Sequence, residues 1–576
     1  MAFGSYYEGL KGSSPLQKLN LANNFIEELS EPSTFLYLVN LVQLNLKNNK
    51  IKLITKSAIE RLESLEIINL EQNKLTEISL NSFSSLLKLK ELNLEGNLIN
   101  LLPNYCFEYF LNLFKLNLAK NKIKEINSKM FQSNNILPIK ILNLAHNKIT
   151  NIQPESFQNL PKLEQLFVNN NKLNILETKT FNSLNKLKYL FISNNYINEL
   201  KENVFNNLPF LEKLYLSNNK LNLTKLNLFK LPKLKLIDIS NNLIEIFKLE
   251  QFVDSQLIEY INLSNNKLKR FNVQQTINSL KIFIAKNNQI EFLNSEMLQS
   301  FGQLENVDLS YNELIELNSA AFWGSTRLTK ILLGNNNLRK IWKNTFKDQK
   351  QIQFLDLSGN MLNNLDEGIF GKNNLISLDL SKNNFSVFPT KGLISVRKSL
   401  KSLNLANNAL KLIEKNNFEE INNLNYLCLS ENKIEILDEE VFSLLPKLKH
   451  LDLSGNPVNS WSPHTFLGLS QIITKIDLSN VGLFSLPRLR SSSLEYLNLS
   501  NNFIYEIDPK EIEIFPSLLS LDLSGNRIVE LNAQIFEKMP ELKVLNISDN
   551  GNNSGIFNYD ISDFDFQILI FFNSGF

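Results

Sequence analysis

Cysteine is nearly missing from this sequence: Cys106 and Cys428 are the only two in 576 residues, more than three hundred positions apart. So wide a pair does not make a disulfide framework, and a bond between the two is not expected. Histidine is as scarce, with His146, His450 and His464 in different repeats and none beside a nucleophile or a cysteine pair. No catalytic triad, zinc-type Cys/His spacing, phosphate-binding loop or dinucleotide fingerprint can be assembled. The chain therefore reads as a non-enzyme, and no cofactor is implied. An excess of one charge is also lacking, because 60 Lys and Arg against 58 Asp and Glu leave a formal charge of +2. No global field recruits nucleic acid or an anionic membrane. Long apolar runs are wanting too: Ile568 to Phe572 falls far below the ~20 residues that span a bilayer. The opening MAFGSYYEGLKGSSP has neither the basic start nor the apolar stretch of a secretory signal.

What remains is 43% hydrophobic and 20% charged, the balance of a chain that buries a large core. A single core rarely grows to this length unless it is built by repetition. Repetition is what the sequence contains. The pattern L-x-x-L-x-L-x-x-N-x-L, with I, V or F allowed for L, recurs 23 times between Asn24 and Asn550 at spacings of 21 to 26 residues, most often 24. Its Asn is present in 22 repeats, clearly at Asn73, Asn97, Asn121, Asn147, Asn171, Asn195, Asn312, Asn336 and Asn360, and Val481 fills the remaining slot.

The L-x-L core alternates with period two, so it predicts a short strand with its leucines inward and the intervening residue on the opposite face. Stacked strands predict one concave parallel sheet. The Asn turns the chain away from the strand, and its amide can satisfy backbone groups that the turn would leave unpaired. Successive copies form an Asn ladder. Ten residues beyond the ladder a Phe occurs in 15 repeats, among them Phe83, Phe107, Phe131, Phe157, Phe181 and Phe205. That regularity predicts core packing on the outer side. The expected architecture is an α/β solenoid of about 23 repeats, a horseshoe whose convex side carries short helical or irregular segments. Its bounds are a lead-in over residues 1–15, the solenoid over 16–550, and a tail or degenerate repeat over 551–576.

With the consensus extended to L-x-x-L-x-L-x-x-N-x-L-x-x-L-x-x-x-x-F, the chain resembles the typical leucine-rich repeats of extracellular proteins such as Toll-like receptor ectodomains, from about Leu16 to Asn550. Residues 451–489, LDLSGNPVNSWSPHTFLGLSQIITKIDLSNVGLFSLPRL, are similar to chaoptin-type adhesion proteins. The resemblance implies a cell-surface adhesion or recognition ectodomain that binds protein, another cell-surface protein or a second copy of itself. The chain departs from the pattern in lacking the cysteine clusters that usually seal such arrays at both ends. After Asn456 and Pro457, residues such as Ser460 and Trp461 stand where cap cysteines are expected. Together with the missing signal and anchor, this suggests a fragment of a longer surface protein, reaching a membrane only through an anchor outside this sequence. The alternative is a cytoplasmic leucine-rich-repeat scaffold or regulatory subunit. Six N-x-S/T sites, at Asn222, Asn262, Asn384, Asn498, Asn546 and Asn552, do not decide between them in so Asn-rich a chain.

The outward residue of L-x-L supplies the candidate binding surface. It is Asn at Asn20, Asn45, Asn69, Asn93, Asn117 and Asn143, then aromatic at Phe167, Phe191 and Tyr215. Two residues earlier on the same face stand Tyr189, Leu236 and Tyr260. These six predict an exposed aromatic patch that contacts a protein. Further on the slot is often Asp, as at Asp238, Asp308, Asp356, Asp379, Asp452, Asp477 and Asp522, an acidic tendency without the enclosing cage a cation needs. Cys428 occupies the same slot and is expected to be solvent-accessible, with Cys106 packed on the outer side beside Phe107.

Overall fold

The computed structural model describes residues 14–571 apart from residues 33, 79–81, 223–228, 253, 273–276, 294–295, 300, 509–512, 530, 532 and 551–568. The expected lead-in and tail, and with the tail the site at Asn552, therefore fall almost wholly outside the described residues. The chain forms two compact units, Met1–Gln289 and Ile290–Phe576.

In each unit the repeat's L-x-L segment is a three-residue strand, and successive strands pair parallel without slip. In the first unit Glu91–Asn93 pairs with Lys115–Asn117 so that Leu92 faces Leu116 and Asn93 faces Asn117. The second unit repeats the arrangement at Ser377–Asp379 and Ser402–Asn404, with Leu378 against Leu403. The middle residue of each strand is buried and its neighbours are partly exposed, as period-two alternation requires. This is the parallel-strand solenoid of the sequence reading.

The strands are short because the chain turns sharply beside the ladder Asn. The residue just before that Asn adopts left-handed backbone geometry, with φ of 54° at Asn48, 54° at Lys120 and 55° at Asn335. Asn tolerates this region better than most residues, which is why Asn-Asn recurs. Glycine takes the position at Gly359, where an added Cβ would lie 2.6 Å from the Asn335 carboxamide oxygen.

The ladder is built from bonds that cross between repeats. Asn97 is buried; its Nδ2 donates to Leu94 O at 3.0 Å in its own repeat and to Leu70 O at 2.9 Å in the preceding one. Its Oδ1 accepts from Leu75 N at 3.0 Å. Asn121 repeats the set one step on, donating to Leu118 O and to Leu94 O, so each such carbonyl receives its own Asn and the next. Asn336 and Asn360 do the same in the second unit. At Val481 the ladder is broken and locally repaired. Val458 N, which would have reached an Asn there, donates to Asn456 O at 3.0 Å. Asn502 accepts from both Val481 N and Leu483 N at 3.0 Å, and the Trp461 indole donates to Val481 O at 3.2 Å.

On the outer side the Phe row is buried and stacked along each unit, at 5.1 Å between Phe107 and Phe131 and 4.9 Å between Phe229 and Phe252. In the second unit Phe322, Phe346 and Phe370 follow at 5.4 and 5.8 Å. Burying one such ring is worth ~1.5–3 kcal/mol, and each touches only neighbouring repeats, so stability accumulates interface by interface. Most of the outer backbone is turn. Regular pieces are single helical turns such as Lys56–Ile59 and Thr390–Leu393, and two-residue parallel pairs such as Glu125–Ile126 with Asn151–Ile152.

Replacing Asn336 by Leu tests the ladder. Leu314 N loses its 3.1 Å acceptor, whereas Leu309 O and Leu333 O keep Asn312 and Asn360 as donors. The expected cost is that of one buried unsatisfied amide, ~1–3 kcal/mol, in urea unfolding of the second unit. Hydrogen exchange at the Leu314 amide should accelerate; unchanged exchange there would refute the assignment.

Candidate protein-binding surface on the sheet face

The outward strand slot has a structural job that explains its usual residues. Asn45 Oδ1 accepts Lys47 N at 3.1 Å, Asn93 Oδ1 accepts Glu95 N at 3.1 Å, and Asn143 Oδ1 accepts Ala145 N at 3.0 Å. Asp does the same in the second unit: Asp379 Oδ1 accepts both Ser381 N at 2.8 Å and Ser381 Oγ at 2.6 Å. A short polar side chain here ties down the amide two residues on, a common Asx arrangement. Several of the carboxylates are engaged on the other oxygen as well, Asp379 by Asn404, Asp477 by Asn498 and Asp522 by Asn546. Their carboxylates thus serve the turn and the neighbouring strand, and no cluster of three metal-ligating side chains occurs among the described residues.

Phe167, Phe191 and Tyr215 break this rule in three consecutive repeats, since an aromatic ring cannot accept the amide. Strand pairing places them side by side, Phe167 against Phe191 and Phe191 against Tyr215. Their rings form a face-to-face stack with centroids 4.5 and 4.7 Å apart and planes within 3° and 6°. The stacking leaves them half-buried, covering one another while one edge of each stays open. That is less exposure than the sequence reading expected, because the rings shield each other. The parallel row two residues earlier runs Tyr189, Lys213, Leu236, Tyr260 in register. Lys213 was not among the expected residues; its ammonium lies 5.5 Å from the Tyr189 ring centroid. Its place between Tyr189 and Leu236 in the repeat was the available signal. Burial, with Asp238 and Tyr215 nearby, raises the Tyr260 phenol above its ordinary pKa, so it stays a neutral hydrogen-bond donor.

Ion pairs border this surface. Lys188 bonds Glu164 at 3.0 Å and Lys235 bonds Glu212 at 3.0 Å, in a row that continues to Lys281 and Glu259. The Lys188 hydrogen bond holds the Glu164 carboxyl below its usual range. These exposed pairs contribute little stability each, but they leave the margin balanced in charge. The surface is thus an apolar stripe with a polar rim, the composition of a protein-contact patch.

Cys428 corrects an expectation. It occupies the outward slot but is only 4% exposed. The small thiol is overtopped by its larger register partners, Asn404 and Asp452, with Sγ 3.1 Å from Ser430 Oγ and 3.2 Å from Asp452 Oδ2. Burial pushes its pKa up to about 11. Cys106 is buried on the outer side and its pKa is also raised by burial. Little of Cys428 is thiolate near neutral pH, and the thiolate is the form that reacts. Native protein should therefore resist iodoacetamide at both thiols, and denatured protein should take up two labels. Rapid native labelling of Cys428 would contradict the burial.

The solenoid is similar to several solved receptor structures. Toll in the Drosophila Toll–Spätzle complex aligns with a TM-score of 0.67 and 18% identity over 93% of this chain and 84% of that one. The plant peptide hormone receptor RGFR1, solved with RGF2, gives 0.55 and 24% over 93% and 82%. TLR13, solved with ssRNA13, gives 0.52 and 22% over 93% and 88%. At these identities the likeness is one of fold. No curated protein sequence matches the chain. The leucine rich repeat family pattern, however, matches segment after segment: 14–75, 39–99, 65–123, 112–173, 162–221, 278–338, 326–385, 398–458, 472–528 and 492–551. Matched over well more than half its length, the chain belongs to the leucine-rich repeat family.

Proposed function

We propose that this protein is a non-catalytic recognition module of the cell surface that binds a protein partner through the aromatic stripe of its first unit. The observation that carries the proposal is the Phe167–Phe191–Tyr215 stack. Three consecutive repeats give up a backbone-capping residue for rings that present a continuous edge. Such an exchange costs the turn a hydrogen bond and gains a desolvating surface, the kind of anchor that dominates protein interfaces. Tyr189, Leu236 and Tyr260 extend it, and the two tyrosines add phenols that can bond a partner's backbone. The company of the fold supports the same reading, since Toll was solved with Spätzle and RGFR1 with RGF2. The partner is another surface protein or a second copy of the chain, and the role is adhesion or ligand recognition. An intracellular scaffold using the same stripe is the competing reading, supported by two buried free cysteines.

Two experiments test this. Antibody staining of intact against permeabilised cells decides the compartment; signal only after permeabilisation would reject the surface role. Binding is read by bead aggregation for the homophilic case and by an array of surface ectodomains for the other. Any partner found should bind Phe191→Ala/Tyr215→Ala at least about thirtyfold more weakly, as expected for two hot-spot rings. Asn69→Ala/Asn93→Ala should matter less, because that row offers no apolar anchor. Equal losses from both pairs, or none from the aromatic pair, would reject the stripe as the site.

A further inference from the structure

A second feature of the first unit lies on another face. Just past each ladder Asn the chain runs extended for three residues, and the middle one is buried: Ile123, Ile149 and Leu173 are all 0% exposed. Period two then turns the residues on either side outward. The first of these positions is Lys at Lys50, Lys74, Lys122, Lys148 and Lys172. The row is held in register by the backbone: Lys122 N donates to Ile99 O at 2.8 Å, Lys148 N to Ile123 O at 2.9 Å and Lys172 N to Ile149 O at 2.8 Å. Leu98 interrupts the row between Lys74 and Lys122; Lys122, Lys148 and Lys172 are successive, each one repeat, ~4.8 Å of backbone, from the next.

Between Lys122 and Lys148 the surface hollows into a groove of 570 Å³ that adds Lys124, together with Asn100, Leu101, Thr150 and Glu125. Lys74, Lys122, Lys124, Lys148 and Lys172 are exposed, and none forms an ion pair among the described residues. Several lysines elsewhere in the unit are neutralised locally, Lys90 by Glu66, Lys115 by Glu91 and Lys188 by Glu164, and others such as Lys88 and Lys162 stand singly; what distinguishes the row is that its lysines share one position in successive repeats. Even with Glu125, the row is a line of uncompensated positive charge whose repulsion costs the fold and serves nothing within it.

We infer that this lysine row binds a sulfated linear polysaccharide. A line of cations at repeat spacing complements a chain that carries its anions in series. Thr150 and Asn100 place a hydroxyl and an amide beside the charges for sugar hydroxyls. The cations are all lysine, compact point charges, where phosphate recognition favours the bidentate fork of arginine. Aromatic platforms on which single-stranded bases stack are absent from the groove lining. The site is independent of the aromatic stripe, and its occupancy does not depend on that reading.

The probe is a heparin-derived decasaccharide titrated calorimetrically into the whole protein over a series of NaCl concentrations. Lys122→Gln/Lys148→Gln/Lys172→Gln should bind at least about thirtyfold more weakly, and the slope of log affinity against log salt should fall by about two. Lys90→Gln/Lys115→Gln/Lys188→Gln, which removes three paired lysines, should stay within about threefold. Unchanged melting temperature shows that the variants are folded, and the single Lys148→Gln, expected to cost about threefold, reads the same surface with the least perturbation. The inference is overturned by no saturable binding at ~0.15 M salt, where weak surface electrostatics are screened. Equal loss in both triple variants overturns it as well. So does equal affinity for desulfated heparin, or for a single-stranded oligonucleotide of matched charge, the latter assigning the row to nucleic acid.

Discussion

A carboxamide buried at turn after turn is the constraint from which the rest of this molecule follows. Only Asn is short enough for the site and carries both an N–H pair and a carbonyl oxygen. Asp could accept the amide of the preceding repeat but could not donate to the two carbonyls that Asn97 reaches in its own repeat and the one before. Because these bonds run between repeats, they require every strand to sit at one register. In-register strands then place equivalent positions side by side. The Phe stack on the outer side, the Asn and Asp rows on the sheet face, and the lysine row past the turn are all consequences of that translation.

Translation also makes each row a place where small changes add. A single aromatic in the outward slot would be an ordinary surface residue. Three in succession become a stacked plate, because parallel strands hold ring centres at 4.5 to 4.7 Å. Lysines in succession likewise become a line. Most repeats spend this freedom on stability, using Asn or Asp to tie down an amide; Ile284, Leu332 and Cys428 depart from this singly, and only Phe167, Phe191 and Tyr215 do so in succession.

The fold was legible in the sequence because its signal is spread over 23 repeats; spacing, strand, turn and Phe packing each appear many times over. The six residues of the aromatic surface were also legible, as positions, from period-two alternation. What the sequence did not give was contact. The half-burial of Phe167 and Phe191 comes from each ring covering the next, and the burial of Cys428 comes from the greater reach of Asn404 and Asp452 beside it. Lys213 was passed over because a cation does not look like part of an apolar patch until its ammonium is seen against Tyr189. The lysine row was present in the letters, but a net charge of +2 averages it away against the glutamates of the rest of the chain.

The repair at Val481 carries a consequence for how such a chain changes over generations. Each ladder carbonyl has two donors, so the loss of one Asn leaves the neighbouring turns partly served, and a nearby peptide or indole takes up the remainder. A repeat can therefore drift from the consensus without severing the array.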